Sequence, residues 1–344
     1  MRRYMIRRMA LLTLSALLAS SAVFFLLRTL PGDAALSMAG LEATPEQIQA
    51  TRQQLGTDKP LWIQYFRWIG GMFHGDFGIS YLSKLPVAAE IGRRLAVTLP
   101  LSLSAFCLAT LISFPLGIIA AVRRKRPVGI GVSAVSSMGV AVPVFWVGII
   151  LIWLFALAVP IFPAGGFPLD GWADPWAAVR SLVLPVVTIA IVMSSTLIRY
   201  IRSAILDILG QDYLRTARSL GYSARAARWR HGVRNAAVPL VAIMSFELST
   251  SLLGAVVIEN VFAIPGLGAM LLSGVINRDL PVVQDIVFLI TFFVLFIGFL
   301  ADIVQRIIDP RLRGGSIDQR VVPDAMSEEE PSMGLRAESG RSKS

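Results

Sequence analysis

The sequence predicts an all-α polytopic membrane protein with six transmembrane helices and both termini cytoplasmic. Three observations predict it. Hydrophobic residues make up 55% of the 344 residues and charged residues only 16%. Six apolar runs are long enough to cross a bilayer. The arginines cluster in alternate connections between those runs. A soluble domain carries about 25% charged residues, and a long chain short of charge lacks the polar surface to cover a water-facing shape. The net charge of +10 does not point to nucleic acid, because the basic residues lie between apolar runs and form no stripe on a soluble domain.

The first run, near 9–30, follows Arg2, Arg3, Arg7 and Arg8. It resembles a signal peptide, with Ala19-Ser20-Ser21-Ala22 in the place of a cleavage site. The apolar stretch continues through Val23 to Leu27, giving about 20 residues, enough to span the hydrocarbon core. An uncleaved first span is therefore expected. The other runs lie near 97–122, 130–159, 181–206, 236–259 and 284–308. Each must be helical, because lipid satisfies no free backbone group. An even number of spans puts both termini on one side. With that side cytoplasmic, 23 of the 32 Lys and Arg residues are inside and 9 outside, as the positive-inside rule requires.

The segment 31–95 has helical signals of its own. Thr44-Pro45-Glu46-Gln47 reads as a capping box with proline at the first helical position. After Pro60, the residues Leu61, Trp62, Tyr65, Trp68, Ile69 and Met72 recur at helical spacing. They form either an interfacial helix at the outer surface or a face packed on other spans. The stretch 160–180, with its prolines and its Gly-Gly and Asp-Gly pairs, reads as a loop. Three domains are expected. Residues 1–96 hold the first span and the long outer segment. Residues 97–313 form a five-helix core with a cytoplasmic loop at 207–235. Residues 314–344, rich in Ser, Glu, Gly and Pro, form a disordered tail.

In the cytoplasmic loop, Gly210 ends the fourth span and Asp212 caps a short helix over 213–220, stopped by Gly221. Tyr213, Ala217 and Leu220 share one face of it, with Arg215 and Arg218 on the rim. The residues alone allow a docking element or a solvated basic loop.

Catalytic chemistry is missing from the sequence. There is no Gly-x4-Gly-Lys-[Ser/Thr] phosphate loop and no Gly-x-Ser-x-Gly elbow. The two histidines, His74 and His231, fall on opposite sides of the membrane in this topology, so no metal site is expected. Cys107 reads as a small buried hydrophobe. Arg199, Arg202, Asp302 and Arg306 read as helix-end residues reaching the interface. Glu247 is different. It lies near the middle of the fifth run, with Ser245, Ser249, Thr250 and Ser251 around it. A carboxylate at that depth faces a cavity or a partner. It is a pathway residue meeting a cationic group of a solute, together with Ser245 and Ser249, or a structural partner for a polar group on a neighbouring helix, or a protonated acid. Finally, Pro265, Gly266 and Gly268 precede an apolar run, 269–276, too short to cross, and so shape a re-entrant outer segment.

The pattern Asp212-Tyr213-x-Arg215-Thr216-Ala217-Arg218-x-x-Gly221, followed by Arg230-His231-x-x-Arg234-Asn235-Ala236-x-x-Pro239, resembles the coupling loop of ATP-binding-cassette importer permeases of the dipeptide, oligopeptide and nickel class. Further motifs in order are Leu-Pro-Gly-Asp at 30–33, Asp-Lys-Pro-Leu at 58–61, His-Gly-Asp-Phe-Gly at 74–78, Val-Phe-Ala-Ile-Pro-Gly-Leu-Gly at 261–268, Arg-Asp-Leu-Pro-Val-Val-Gln at 278–284 and Asp-Pro-Arg at 309–311. The resemblance covers roughly 1–313. Leu220 stands where the family commonly has a basic residue, and the tail after Arg313 has no counterpart.

The resemblance implies a multi-pass permease subunit of the bacterial inner membrane, translocating a solute delivered by an external binding protein, with peptides ahead of nickel complexes and oligosaccharides. It implies a second homologous permease subunit and two ATPase subunits, which bind ATP and magnesium; this chain needs no cofactor. Asp212, Tyr213, Arg215, Thr216, Ala217, Arg218 and Gly221 are then the ATPase-coupling residues, and Pro265, Gly266 and Gly268 close the outer end of the pathway. The family often has a neutral amide where Glu247 stands, which implies that the acid tunes selectivity. The competing readings are a stand-alone secondary transporter or channel and a membrane scaffold.

Overall fold

A computed structural model describes residues 2–29, 35–36, 43–209 and 233–308. The coupling-loop residues Asp212, Tyr213, Arg215, Thr216, Ala217, Arg218 and Gly221, and the tail 314–344, lie outside the described residues. The described chain is helical. In order it forms α1 (Arg2–Thr29), α2 (Pro45–Leu55), α3 (Leu61–Phe73), α4 (Val87–Val122), α5 (Pro127–Ala141), α6 (Val144–Ile152), α7 (Pro175–Leu209), α8 (Val233–Val261), α9 (Leu267–Ile276) and α10 (Leu280–Ile308).

Helices α1, α4, α7, α8 and α10 are each long and apolar enough to cross a membrane. The third apolar run, expected as one straight span over 130–159, is two helices bent by 99°. The break lies at Val142 and Pro143. A proline disfavours helical backbone in the residue before it and has no N–H to give. Val142 accordingly turns extended, at φ −87° and ψ 125°. Beyond α6 the chain continues as a π-helical turn over Trp153–Ala158. With the bent pair counted once, the described residues hold six candidate spans.

The helices outrun the apolar runs. α4 begins at Val87 and α7 at Pro175, well ahead of the expected 97 and 181, because hydropathy marks the hydrocarbon slab and not the helix end. Prolines 100 and 115 sit inside α4. Pro100 frees the carbonyl of Ala96, four residues back, and the indole N–H of Trp172 donates to it at 2.8 Å. A neighbouring loop thus satisfies what the proline released.

The core lies where α4, α7 and α8 pack. It includes Leu101, Ala105 and Ala109 of α4, Met193, Leu197 and Ile201 of α7, Ala255 and Ile258 of α8, and Phe262 just beyond α8. Close approach at the α4–α7 crossing rests on Gly117, where a Cβ would come within 2.7 Å of the Ile201 side chain. Small residues give close helix contact in lipid, where dispersion replaces the hydrophobic effect. Cys107 faces outward on α4, which corrects the expectation of a buried thiol: its neighbours Ala105 and Ala109 take the core face.

α1 runs antiparallel along α10. At one end, Arg8 pairs with Asp302 at 2.7 Å and the Arg306 guanidinium lies 3.7 Å from the centre of the Tyr4 ring. These residues do more than reach the interface. At the other end, Arg28 donates to Gln284 Oε1 at 2.7 Å. α2 carries the expected capping box, with Thr44 and Gln47 exchanging side-chain bonds and Gly56 closing the helix at φ 68°. α3 is amphipathic in an unusual sense. Tyr65 and Trp68 pack inward on Phe24 of α1 at 5.3 and 5.8 Å between ring centres, and Trp68 also meets Phe288 of α10. Trp62, Phe66 and Phe73 face outward. Of the two readings of this stripe, packing on other spans holds for Tyr65 and Trp68.

Candidate functional site

The expected outer-gate residues form the tight corner between α8 and α9. α8 ends at Val261, Ala263 adopts φ 49°, and Gly266 opens α9. The first amide groups of any helix lack intrahelical acceptors. Here two distant side chains satisfy them. The Leu267 amide donates to Thr98 Oγ1 of α4 at 2.9 Å. The Gly268 and Ala269 amides donate to Glu259 Oε2 at 2.7 and 3.2 Å. Thr98 in turn donates its hydroxyl proton to Glu259 Oε1 at 2.6 Å. The carboxylate therefore sits at the positive end of the α9 dipole and accepts three hydrogen bonds there. Arg94, one turn before Thr98 on α4, is the cation whose field reaches it.

This corner explains the two glycines. A Cβ on Gly266 would overlap the Glu259 carboxyl group, and one on Gly268 would overlap the backbone of Val256. The turn is also held from the other side, where the Gly166 amide donates to the Phe262 carbonyl at 2.7 Å. Glu259 is fully buried. Sequence reasoning missed it, although its signal was present: an acid directly ahead of a Pro-Gly-x-Gly turn and a short helix.

The junction after α9 is tied down in a similar way. Asp279, buried, accepts from Ser80 Oγ and from the amides of Tyr81 and Leu82. A loop outside the bundle is thereby fastened to the turn between α9 and α10.

Glu247 lies 12 residues before Glu259 on α8, about 18 Å along the axis. It is 7% exposed, and no hydrogen bond from another described residue reaches its carboxylate. The charge acting on it is Arg199 of α7. Its hydroxyl neighbours are occupied within their own helix: Ser245 donates to the Ala242 carbonyl at 2.8 Å, Ser249 to Ser245 at 2.9 Å and Ser251 to Leu248 at 2.7 Å. Hydroxyls that back-bond in this way keep only their lone pairs for a neighbour. The structure thus brings Pro265, Gly266 and Gly268 together with Glu259 and Thr98, and leaves Glu247, Ser245 and Ser249 as a separate group farther along α8.

Comparison with known proteins places this architecture. Residues 113–314 match the family model described as "Binding-protein-dependent transport system inner membrane component". Residues 1–102 match the one described as "Binding-prot-dependent transport system membrane comp, N-term". The chain is 38% identical over 299 residues to a protein named as a peptide transport system permease of Brucella abortus (strain 2308), covering 86% of this chain and 94% of that one. It is 36% identical over 314 residues to the glutathione transport system permease protein GsiC of Salmonella paratyphi A, covering 91% and 99%, and 35% identical over 313 residues to GsiC of Escherichia coli (strain K12), covering 91% and 99%. Among solved structures, a chain of the inward-facing MetNI methionine ABC transporter shares the fold, with a TM-score of 0.52 and 19% identity over 64% of this chain and 96% of that one. With matches of this identity along nearly its whole length, the chain belongs to the family of inner membrane components of binding-protein-dependent transport systems, and within it to the peptide class of ATP-binding-cassette permeases.

Proposed function

We propose that this permease carries peptides, delivered by an external binding protein, through a path beside α8, driven by ATP hydrolysis in two separate ATPase subunits. A second homologous permease completes the conduit, and both termini face the cytoplasm of a bacterial cell. The observation that carries the peptide class is the match to peptide and glutathione permeases over nearly their whole length, including the segment before α4. The 23-to-9 division of basic residues supports the orientation. The residues around Ala217 supply the coupling contact, and α9 with its capped corner closes the outer end. ATP and magnesium belong to the partner subunits.

Uptake into proteoliposomes containing the co-purified subunits tests the reading. Peptide accumulation should require ATP and persist in the presence of a protonophore. Ala217→Arg, which puts a long cation where close approach is needed, should abolish assembly with the ATPase while membrane insertion stays normal. Uptake that survives without ATP and collapses with the protonophore would establish a secondary transporter instead. For orientation, reporter fusions in 160–174 and at Gly314 should report opposite sides; a cytoplasmic signal from 160–174 would reverse the topology.

A further inference from the structure

Beyond the conduit, a cavity of about 880 Å³ opens at the end of the bundle away from the termini, between α1, α3, the 76–81 loop and the start of α10. Small-molecule sites fall roughly between 300 and 1,000 Å³. Its lining is both cationic and acidic: Arg28, Lys59, Arg67 and Arg278 on one hand, Asp76 and Asp285 on the other. None of these four cations forms an ion pair with a described residue. We propose that this cavity binds the headgroup of an aminophospholipid of the phosphatidylethanolamine class, its phosphate on the arginines and its primary ammonium on Asp285.

Four features support the proposal. Arg28 is preorganised: it donates to Gln284 Oε1 at 2.7 Å and Gln64 Oε1 at 3.3 Å, and its guanidinium lies 3.4 Å from the centre of the Phe24 ring. A planar fork held in this way suits a phosphate oxygen. Asp285, at the floor, is fully buried. Its Oδ1 accepts from the Trp68 indole at 2.7 Å, but its Oδ2 has no partner. A buried carboxylate oxygen without a donor is costly, and a primary ammonium has three donors to offer. The half-buried Tyr81 phenol also lines the cavity; burial pushes it up to about 12, with Arg28 opposing and Asp279 adding, so it stays a neutral donor. Last, the outer wall is α3, whose outward side shows Trp62, Phe66 and Phe73 at 61%, 66% and 83% exposure. Aromatic residues of this kind mark the level of lipid headgroups. A ligand with a polar head inside and acyl chains along the outside of α3 matches both surfaces.

The full-length chain, purified in detergent and stripped of lipid, can be titrated with dihexanoyl phosphatidylethanolamine, phosphatidylcholine and phosphatidylglycerol, and with water-soluble glycerophosphoethanolamine, reading bound mass by native mass spectrometry. The ethanolamine lipid should bind about tenfold tighter than the other two lipids, the gain expected from an ammonium–carboxylate pair that choline, with no N–H, and glycerol, with no charge, cannot make. R67Q/R278Q should weaken it about tenfold. Asp285→Asn, which keeps an acceptor for Trp68, should erase the preference for ethanolamine over choline while native-like thermal unfolding is retained. Ethanolamine and choline lipids binding alike, or both variants binding as the parent does, would overturn the site. Glycerophosphoethanolamine binding as tightly as the lipid would overturn the lipid assignment in favour of a soluble ligand.

Discussion

Helix α8 carries two buried carboxylates that lead opposite lives. Glu259 accepts from Thr98 and from two amides of α9, and a Cβ on Gly266 has no room beside it. Glu247, 12 residues earlier, accepts from no described residue and answers only to the charge of Arg199. Burying an acid is expensive in either place. At Glu259 the fold itself supplies the compensation, through a helix N-terminus and a hydroxyl brought from α4. At Glu247 the fold supplies little, so either the acid stays protonated or compensation comes from outside the described residues: water, a partner chain or a solute. Burial alone therefore does not separate a structural acid from a functional one; the inventory of donors does.

The sharpest way to break this contrast is to remove Glu259. Glu259→Ala leaves the α9 amides and the Thr98 hydroxyl without an acceptor and opens a void. A loss of roughly 3 kcal/mol or more is expected, read as a large drop in the thermal unfolding midpoint in detergent. Thr98→Val, which removes one donor and one acceptor, should cost about 1–2 kcal/mol by the same assay. A Glu259→Ala protein with parental stability would show that the corner is not a lock.

Next in size is Gly268→Ala. The added methyl must displace the backbone of Val256, an overpacking cost of about 1–3 kcal/mol. The corner should loosen, seen as faster hydrogen exchange at Leu267 to Met270. Unchanged exchange there would mean that α8 gives way freely and that the glycine is not required by the close approach.

These effects divide what the sequence makes legible from what it hides. Spans are legible because about 20 apolar residues are needed to cross lipid, and the capping box at Thr44 is legible because it is local. The bend at Pro143 is written in the sequence, but a hydropathy window runs straight across a break in direction. Glu259 escapes because its partner Thr98 lies 161 residues away in the chain, and because an acid at the end of an apolar run looks like any helix end. The cluster of hydroxyls around Glu247 suggests a wet lining, whereas Ser245, Ser249 and Ser251 spend their protons on carbonyls of their own helix. Side-chain type is visible in sequence; the destination of its proton is not.

The smallest stability effect belongs to Glu247, and it is the most telling. Glu247→Gln removes a charge that no described donor holds, so the unfolding midpoint should move by about 1 °C or less, the shift that a few tenths of a kcal/mol produces in a chain this long. Transport should respond instead. The decisive measurement is ATP-driven uptake of a matched pair of peptides, one with a lysine and one with a glutamine at the same position, by the parental transporter and by the Glu247→Gln variant. The variant should lose uptake of the lysine peptide about tenfold more than that of the glutamine peptide, as loss of a charge-assisted contact implies, with stability unchanged. Equal loss for both peptides, or a fall in stability like that of Glu259→Ala, would contradict it and make Glu247 a second structural acid.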